Sequence, residues 1–257
     1  MLDVSQFSLE GKVALITGAS RGIGKAAALG FAKAGADVIV VSRNLPDLEG
    51  VSDEVKKLGR KSLPLAAHIG RLDQIQSLIE QVMHKFPKID ILLNNAGTSV
   101  VWQPAMDLEE RAWDSIMNLN LKGLFFLSQA VAKVMSKQGS GSIINVSSVD
   151  GIKGEANNSA YSISKAGVVM ATRVLALEWA KYGIRVNCIA PGYISTRLMN
   201  SRWDVDPENK PDILKRILLH GVGEPEYITG AMIFLASSAS NYMTGETITV
   251  DGGYLLT

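Results

Sequence analysis

The sequence predicts a doubly wound α/β fold: a parallel sheet covered by helices on both faces, in a single domain. Three observations predict it. Short β-branched runs recur along the chain, helix-length segments rich in Ala, Leu, Lys and Glu alternate with them, and a glycine-rich turn follows the first run. Alternating strands and helices imply parallel strands joined by crossover helices. The runs are apolar nearly throughout, the pattern of strands buried on both faces. The chain has 257 residues, 47% of them hydrophobic, which suffices for one sizeable core.

Taken in order, the expected strands are Val13–Thr17, Asp37–Ser42, a weaker run Lys61–Ala67, Ile89–Asn94, Ser142–Ser147, Arg185–Ile189 and Thr247–Val250. The expected helices include Gly22–Ala34, Leu72–Phe86, Glu109–Lys137, Ser159–Tyr182 and Glu226–Ala236. Tyr193–His220 breaks the rhythm, with Met199, Trp203, Pro207 and Pro211 among polar residues. It leaves the end of a strand, where such sheets bind ligands, so it is expected to form a mobile lid over a pocket. A plain surface excursion is the alternative.

Composition narrows the function classes. Net charge is +1 and no Lys/Arg run stands out, which argues against nucleic acid or an anionic membrane as partner. No stretch approaches the ~18 apolar residues of a membrane span, and the first residues carry an acid and no signal-like apolar core. Cys188 is the single cysteine, within an apolar run, and reads as a buried strand residue. A cytoplasmic protein with no metal site is the expectation.

The first strand leads into Thr17-Gly18-Ala19-Ser20-Arg21-Gly22-Ile23-Gly24, which opens a helix. Glycines there let the backbone turn tightly and approach a pyrophosphate, and the helix start offers free N–H groups to it. Strand, glycine turn and helix together are the context that makes a glycine triplet informative, here as a Rossmann-type nucleotide site.

That segment resembles the cofactor motif of the short-chain dehydrogenase/reductase family. Further matches follow in family order: Asn94-Asn95-Ala96-Gly97, Asn120 in Asn-Leu-Lys-Gly, Ser148, Tyr161-x-x-x-Lys165, Pro191-Gly192 and a closing Val250-Asp251-Gly252-Gly253. The resemblance covers almost the whole chain, and the likest members are NADP-dependent carbonyl and 3-oxoacyl reductases. It implies that Gly18, Ser20, Ile23 and the neighbouring amides of Arg21, Gly22 and Gly24 line the pyrophosphate. It places Asn95, Ala96 and Gly97 on the adenosine side, with a purely structural tie as the other reading of Asn95. Ile194 and Thr196, just after Pro191-Gly192, would contact the nicotinamide carboxamide. Many members carry an Asp that bonds the adenine amino group; the matching position here is His68, followed by Ile69, so His68 would contact adenine or simply pack. The resemblance also implies a homotetramer.

The chemistry follows from the residue types. Tyr161 and Lys165 are four apart, one turn of a helix. A free tyrosine, with a pKa near ~10, is a poor acid at neutral pH; a neighbouring ammonium lowers that value and tunes the phenol as a proton donor. Ser148, just past a strand, can hold and polarise the substrate oxygen. Family members use the Asn at the Asn120 position to hold a water that relays protons to the lysine. Ser147 is expected to cap the following helix. The pocket would be walled by Trp102, Asp150, Met199 and Trp203, with ordinary packing as the alternative for Trp102, Met199 and Trp203, and with Glu155 on its edge or solvated. A ketone or secondary alcohol is the expected substrate, with a sugar or polyol or a 3-oxoacyl thioester as alternatives. Members acting on the carrier protein tend to carry arginines at positions that match Gly139 and Tyr182 here, which weakens the thioester reading.

Cofactor choice turns on the end of the second strand. An enzyme selecting NAD presents an acid there to the ribose hydroxyls. This chain has Ser42, then Arg43 and Asn44. Arg43 offers a cationic fork suited to a 2′-phosphate, and Arg21 a second cation. NADP(H) is therefore the expected cofactor.

Overall fold

The computed structural model describes residues 4–205, 207–219 and 221–257. Seven strands form one all-parallel sheet in the order β3-β2-β1-β4-β5-β6-β7: β1 Val13–Thr17, β2 Asp37–Ser42, β3 Ser62–Ala66, β4 Ile91–Asn94, β5 Gly141–Val146, β6 Ile184–Pro191 and β7 Thr247–Val250. Each expected strand is present, with ends shifted by a few residues at most.

The two-residue period of a strand divides its side chains between the two faces. Ala14 and Ile16 of β1, Val38 and Val40 of β2, and Ile91 and Leu93 of β4 join one apolar core with Phe31, Ile228 and Met232. Their neighbours Val13, Leu15, Ile39, Val41 and Leu92 join a second core with Val82, Leu127, Val131 and Leu175. Each face is closed by its own helices, which is why β1 and β4 are buried throughout. The edge strands β3 and β7 depart from that expectation and stay partly exposed, since each has a neighbour on one side only.

The helices are α1 Gly22–Lys33, α2 Leu45–Lys57, α3 Leu72–Lys85, α4 Glu110–Met117, α5 Leu124–Gln138, α6 Asp150–Lys153, α7 Ser159–Trp179, α8 Arg197–Val205, α9 Lys210–Arg216 and α10 Pro225–Ala236. The apolar pattern does not announce α2, because only Leu48, Val51, Ser52 and Val55 turn inward from it. The single helix expected over 109–137 is interrupted: a π-helical turn, Asn118–Gly123, separates α4 from α5. The physical reason lies at Gly123, where a Cβ would collide with the Ile69 carbonyl, so the chain passes close to the end of β3 and widens its turn. α7 ends at Trp179 and a tighter 3-10 turn, Ala180–Tyr182, finishes it.

The segment expected to form a lid is ordered into α8 and α9 over a satellite core of Val149, Tyr193, Met199, Ile213, Ile217 and Tyr254, with Trp203 and Leu214 packed at its margin. Asp206 and His220, inside the expected lid, lie outside the described residues. Of the described helices, none is long and apolar enough to cross a membrane.

Candidate active site

The residues singled out by their chemistry meet at the carboxyl edge of the sheet. Ser147 and Ser148 leave the end of β5, and Tyr161 and Lys165 lie on the first turns of α7, which packs against β6 and α6. Lys165 is buried at 4% exposure, and its Nζ donates to the Val146 carbonyl at 2.8 Å. Its ammonium stands 5.6 Å from the centre of the Tyr161 ring. The expected capping role of Ser147 is replaced by a tie: its Oγ donates to the Lys165 carbonyl at 2.7 Å and clamps α7 to β5. The Ser148 Oγ accepts the Asp150 N–H at 3.1 Å, which fixes the hydroxyl at the head of α6.

Burial pushes the Lys165 ammonium down to about 8, with Cys188 and Asp150 pulling in the other direction. Burial likewise pushes the Cys188 thiol up to about 11, so that thiol is neutral where Lys165 titrates. Cys188 is fully buried, as expected from its run.

Asn120 sits in the π-helical turn and is fully buried. Its Oδ1 accepts the Thr98 N–H at 2.8 Å, and its Nδ2 donates to the Thr98 carbonyl at 2.9 Å and to Ser164 Oγ at 3.1 Å. Ser164 in turn donates to the Tyr161 carbonyl at 2.7 Å. The loop after β4, the π turn and α7 are thereby held together. A Cβ built on Gly97 would lie 3.4 Å from both Asn120 Oδ1 and Lys165 Nζ, so glycine leaves a small gap between them.

A second network was not foreseen. Asp150 is buried at 8% exposure, and its Oδ2 accepts from Asn158 Nδ2 at 3.2 Å. Ser99 Oγ donates to Asn158 Oδ1 at 2.9 Å. Asn157, with φ 61°, holds the turn that presents Asn158 ahead of α7. The Asn157-Asn158 pair was the available signal, since Asn tolerates left-handed backbone and favours helix starts. Glu155, left open by the sequence, accepts from the Tyr193 hydroxyl at 3.3 Å. Met199 is buried and Trp203 half-buried in the satellite core, with Lys210 Nζ 4.4 Å from the Trp203 ring centre. Trp102 is half-buried in the loop after β4.

The glycine turn after β1 is built as a cradle. Gly18 and Gly22 take φ of 65° and 53°, and α1 begins at Arg21 with no side-chain cap and no acid in its first turn. A Cβ on Gly18 would come within 2.8 Å of Asn95 Nδ2, and one on Gly22 within 3.2 Å of Thr196 Cγ2. Asn95 Nδ2 donates to the carbonyls of Thr17 at 2.9 Å and Gly18 at 3.2 Å, while the N–H groups of Asn95 and Ala96 donate to Thr17 Oγ1 at 3.0 Å each. Asn95 therefore ties β4 to the glycine turn, the structural alternative raised for it. Ile194 is buried and Thr196 half-buried where the chain leaves β6 after Pro191-Gly192.

Strand pairing brings the ends of β2 and β3 side by side, Ser42 opposite Ala66. Arg43 and Asn44 are exposed there, and Ser42 Oγ lies 3.5 Å from the Asn44 carbonyl. Arg21 lies 3.6 Å from Asp47, an exposed pair that contributes little and leaves the guanidinium accessible. His68 Nδ1 accepts the Gly70 N–H at 3.1 Å, and burial followed by the Arg43 charge lowers its pKa, so the ring is neutral. An uncapped helix start and a glycine turn at the carboxyl edge of the sheet fit the pyrophosphate of a dinucleotide.

A seven-stranded parallel sheet with this site defines a nucleotide-dependent oxidoreductase, and the comparisons agree. A family model described as enoyl-(acyl carrier protein) reductase matches residues 18–255. The chain belongs to the short-chain dehydrogenase/reductase family. It is 43% identical over 253 residues to 2-dehydro-3-deoxy-D-gluconate 5-dehydrogenase of Escherichia coli (strain K12), covering 98% of each chain. It is 42% identical over 250 residues to a 3-oxoacyl-[acyl-carrier-protein] reductase of Thermotoga maritima, covering 96% of this chain and 99% of that one. Among solved structures it matches a short-chain type dehydrogenase/reductase from Mycobacterium marinum, with a TM-score of 0.93, 39% identity and 99% of each chain covered. A gluconate 5-dehydrogenase from Burkholderia cenocepacia in complex with NADP and tartrate matches with a TM-score of 0.93 and 34% identity, over 98% of each chain.

Proposed function

We propose that this oxidoreductase uses NADP(H) to interconvert a small hydroxylated ketone and its secondary alcohol, with Tyr161 as general acid and base. The observation that carries the reading is the buried Lys165 ammonium 5.6 Å from the Tyr161 ring, one helical turn away and anchored to the Val146 carbonyl at the end of β5. Ser148 holds the substrate oxygen. Tyr161 gives that oxygen its proton during reduction and takes it back during oxidation. Lys165 stabilises the phenolate left behind. When bound, NADPH supplies the hydride. The gap at Gly97, between Asn120 and Lys165, suits a water that returns the proton to the site. Asn120 positions that end of the path.

Gly18, Ser20, Arg21, Gly22, Ile23 and Gly24 would hold the pyrophosphate, Asn95, Ala96 and Gly97 would flank the adenosine side, and Ile194 and Thr196 would meet the nicotinamide end. Ser42, Arg43, Asn44 and Arg21 would hold the 2′-phosphate. A neutral His68 and the neighbouring Ile69 would border the adenine. The segment 193–219 would act as the lid. A sugar or polyol ketone fits better than a carrier-bound thioester. Gly139 caps α5 at φ 71°, a backbone in which an arginine would be strained, and Tyr182 stands at the second position.

We infer a homotetramer, the assembly that the family resemblance implies. Phe125, Val169 and Trp179 turn inward, but Phe126, Met170, Val174 and Leu177 of α5 and α7 stay 38–83% exposed. Such a stripe calls for a two-fold mate. Light scattering at micromolar concentration is expected to give a tetramer mass, and a monomer would refute it.

The functional test is a screen of the purified protein with NADPH and NADH against ketones, ketoses, diketones and 3-oxoacyl thioesters. NADPH consumption with ketones or ketoses is expected; turnover confined to thioesters, or none, would overturn the reading.

A further inference from the structure

The active site carries a carboxylate that the chemistry above does not use. Asp150 follows Ser148 by two positions, donates its N–H to the Ser148 hydroxyl at 3.1 Å and is 8% exposed. Its Oδ2 is held by Asn158 at 3.2 Å, and Asn158 is held by Ser99 at 2.9 Å. Both clamps come from segments that frame the site: Asn158 directly precedes α7, and Ser99 lies in the loop after β4. Its field reaches Lys165, where it opposes the lowering by burial. Glu155, on the same connection, faces Tyr193 and adds a second acid at that end. The cation on this connection, Lys153, is drawn away: its Nζ donates to the Thr257 carbonyl at 2.7 Å.

We propose that Asp150 is a specificity-determining residue that selects uncharged hydroxylated ketones and rejects their carboxylate counterparts. The inference rests on the proposed carbonyl chemistry at Ser148 and Tyr161. A fixed carboxylate in a poorly solvated site accepts hydrogen bonds from substrate hydroxyls. The same charge repels an anion entering the site, and the burial of Asp150 weakens screening by solvent. Specificity of this kind is a repulsive element built against one class of ligand as much as an attraction for another. Asn158 and Ser99 are positioning residues in this account, because they keep the carboxylate from turning out to solvent.

The test compares matched ketones that differ in one charge. L-Sorbose is set against 5-keto-D-gluconate, in which the terminal CH2OH is a carboxylate, and ethyl acetoacetate against acetoacetate. NADPH-dependent kcat/KM is measured for each at pH 7 in wild type, Asp150→Asn and Asp150→Glu. Wild type is expected to prefer the neutral member of each pair, and Asp150→Asn to shrink that preference by about tenfold or more, the scale of one like-charge contact. Asp150→Glu, which keeps the charge, is expected to retain the preference. A role only through the Lys165 charge would move both members of a pair together and leave the ratio unchanged. An unchanged ratio in Asp150→Asn, or a wild-type preference for the anion, overturns the proposal while leaving the carbonyl chemistry standing. No turnover of any of the four ketones by wild type would overturn both.

Discussion

Lys165 and Tyr161 meet as a buried pair, the ammonium 5.6 Å from the ring centre and anchored to the Val146 carbonyl at 2.8 Å. The anchor matters because a lysine side chain has several rotatable bonds, and a backbone carbonyl fixed in β5 removes most of that freedom. The charge is therefore held beside the phenol before any substrate arrives.

The first prediction concerns pH. Lys165 titrates near 8, lowered by burial, so it is charged below that value and neutral above it. Loss of the charge weakens Tyr161 as a proton donor. Carbonyl reduction at saturating NADPH should therefore decline as pH rises through about 8, and Lys165→Met should be much slower and lack that decline. The stability term has the opposite trend. The unfolded lysine, with a pKa near ~10.4, binds more protons than the folded one between about pH 8 and 10.4, so this residue adds stability as pH rises through that window. Thermal melts of wild type and Lys165→Met across the window measure the difference; parallel curves would refute the buried titration.

A second prediction concerns the cofactor. Arg43 is exposed beside the ends of β2 and β3, where it would meet the 2′-phosphate. A charge-assisted hydrogen bond contributes roughly 1.5–3 kcal/mol. Arg43→Ala should weaken NADPH binding by about tenfold or more and leave NADH little changed. Titration calorimetry with both nucleotides checks this. A wild-type preference for NADH, or an unaltered ratio in the variant, would contradict it.

Much of this arrangement was legible in the sequence, and the failures have physical causes. The buried strands β1, β2 and β4 were legible because continuous Val, Ile and Leu runs have no other comfortable place. The placement of Ser148, Tyr161 and Lys165 at the carboxyl edge of the sheet was legible from residue type, spacing and family order. The π turn at Asn118–Gly123 was not, because it answers a close approach to Ile69 that no local pattern records. For Met199 and Trp203 the sequence left pocket wall and packing open, since apolar residues in an irregular segment look alike whether they face a ligand or each other; both pack in the satellite core. The Ser99-Asn158-Asp150 chain joins residues about fifty apart, a distance that spacing does not reveal.

A third prediction concerns the segment 193–219. Its helices α8 and α9 are short and rest on a satellite core separate from the two main ones. Local opening there should cost less than global unfolding. Amide exchange in 197–216 should slow on adding NADPH. Equal protection with and without NADPH would mark the segment as a static surface.

The central claim is that Tyr161 is the proton donor of a carbonyl reduction. The direct measurement pairs single-turnover reduction with NADPH binding in Tyr161→Phe. Removing one hydroxyl should leave fold and NADPH affinity nearly intact and slow the reduction by about 100-fold or more, the usual scale for loss of a general acid. Reduction at close to the wild-type rate, with NADPH still bound, would contradict the account.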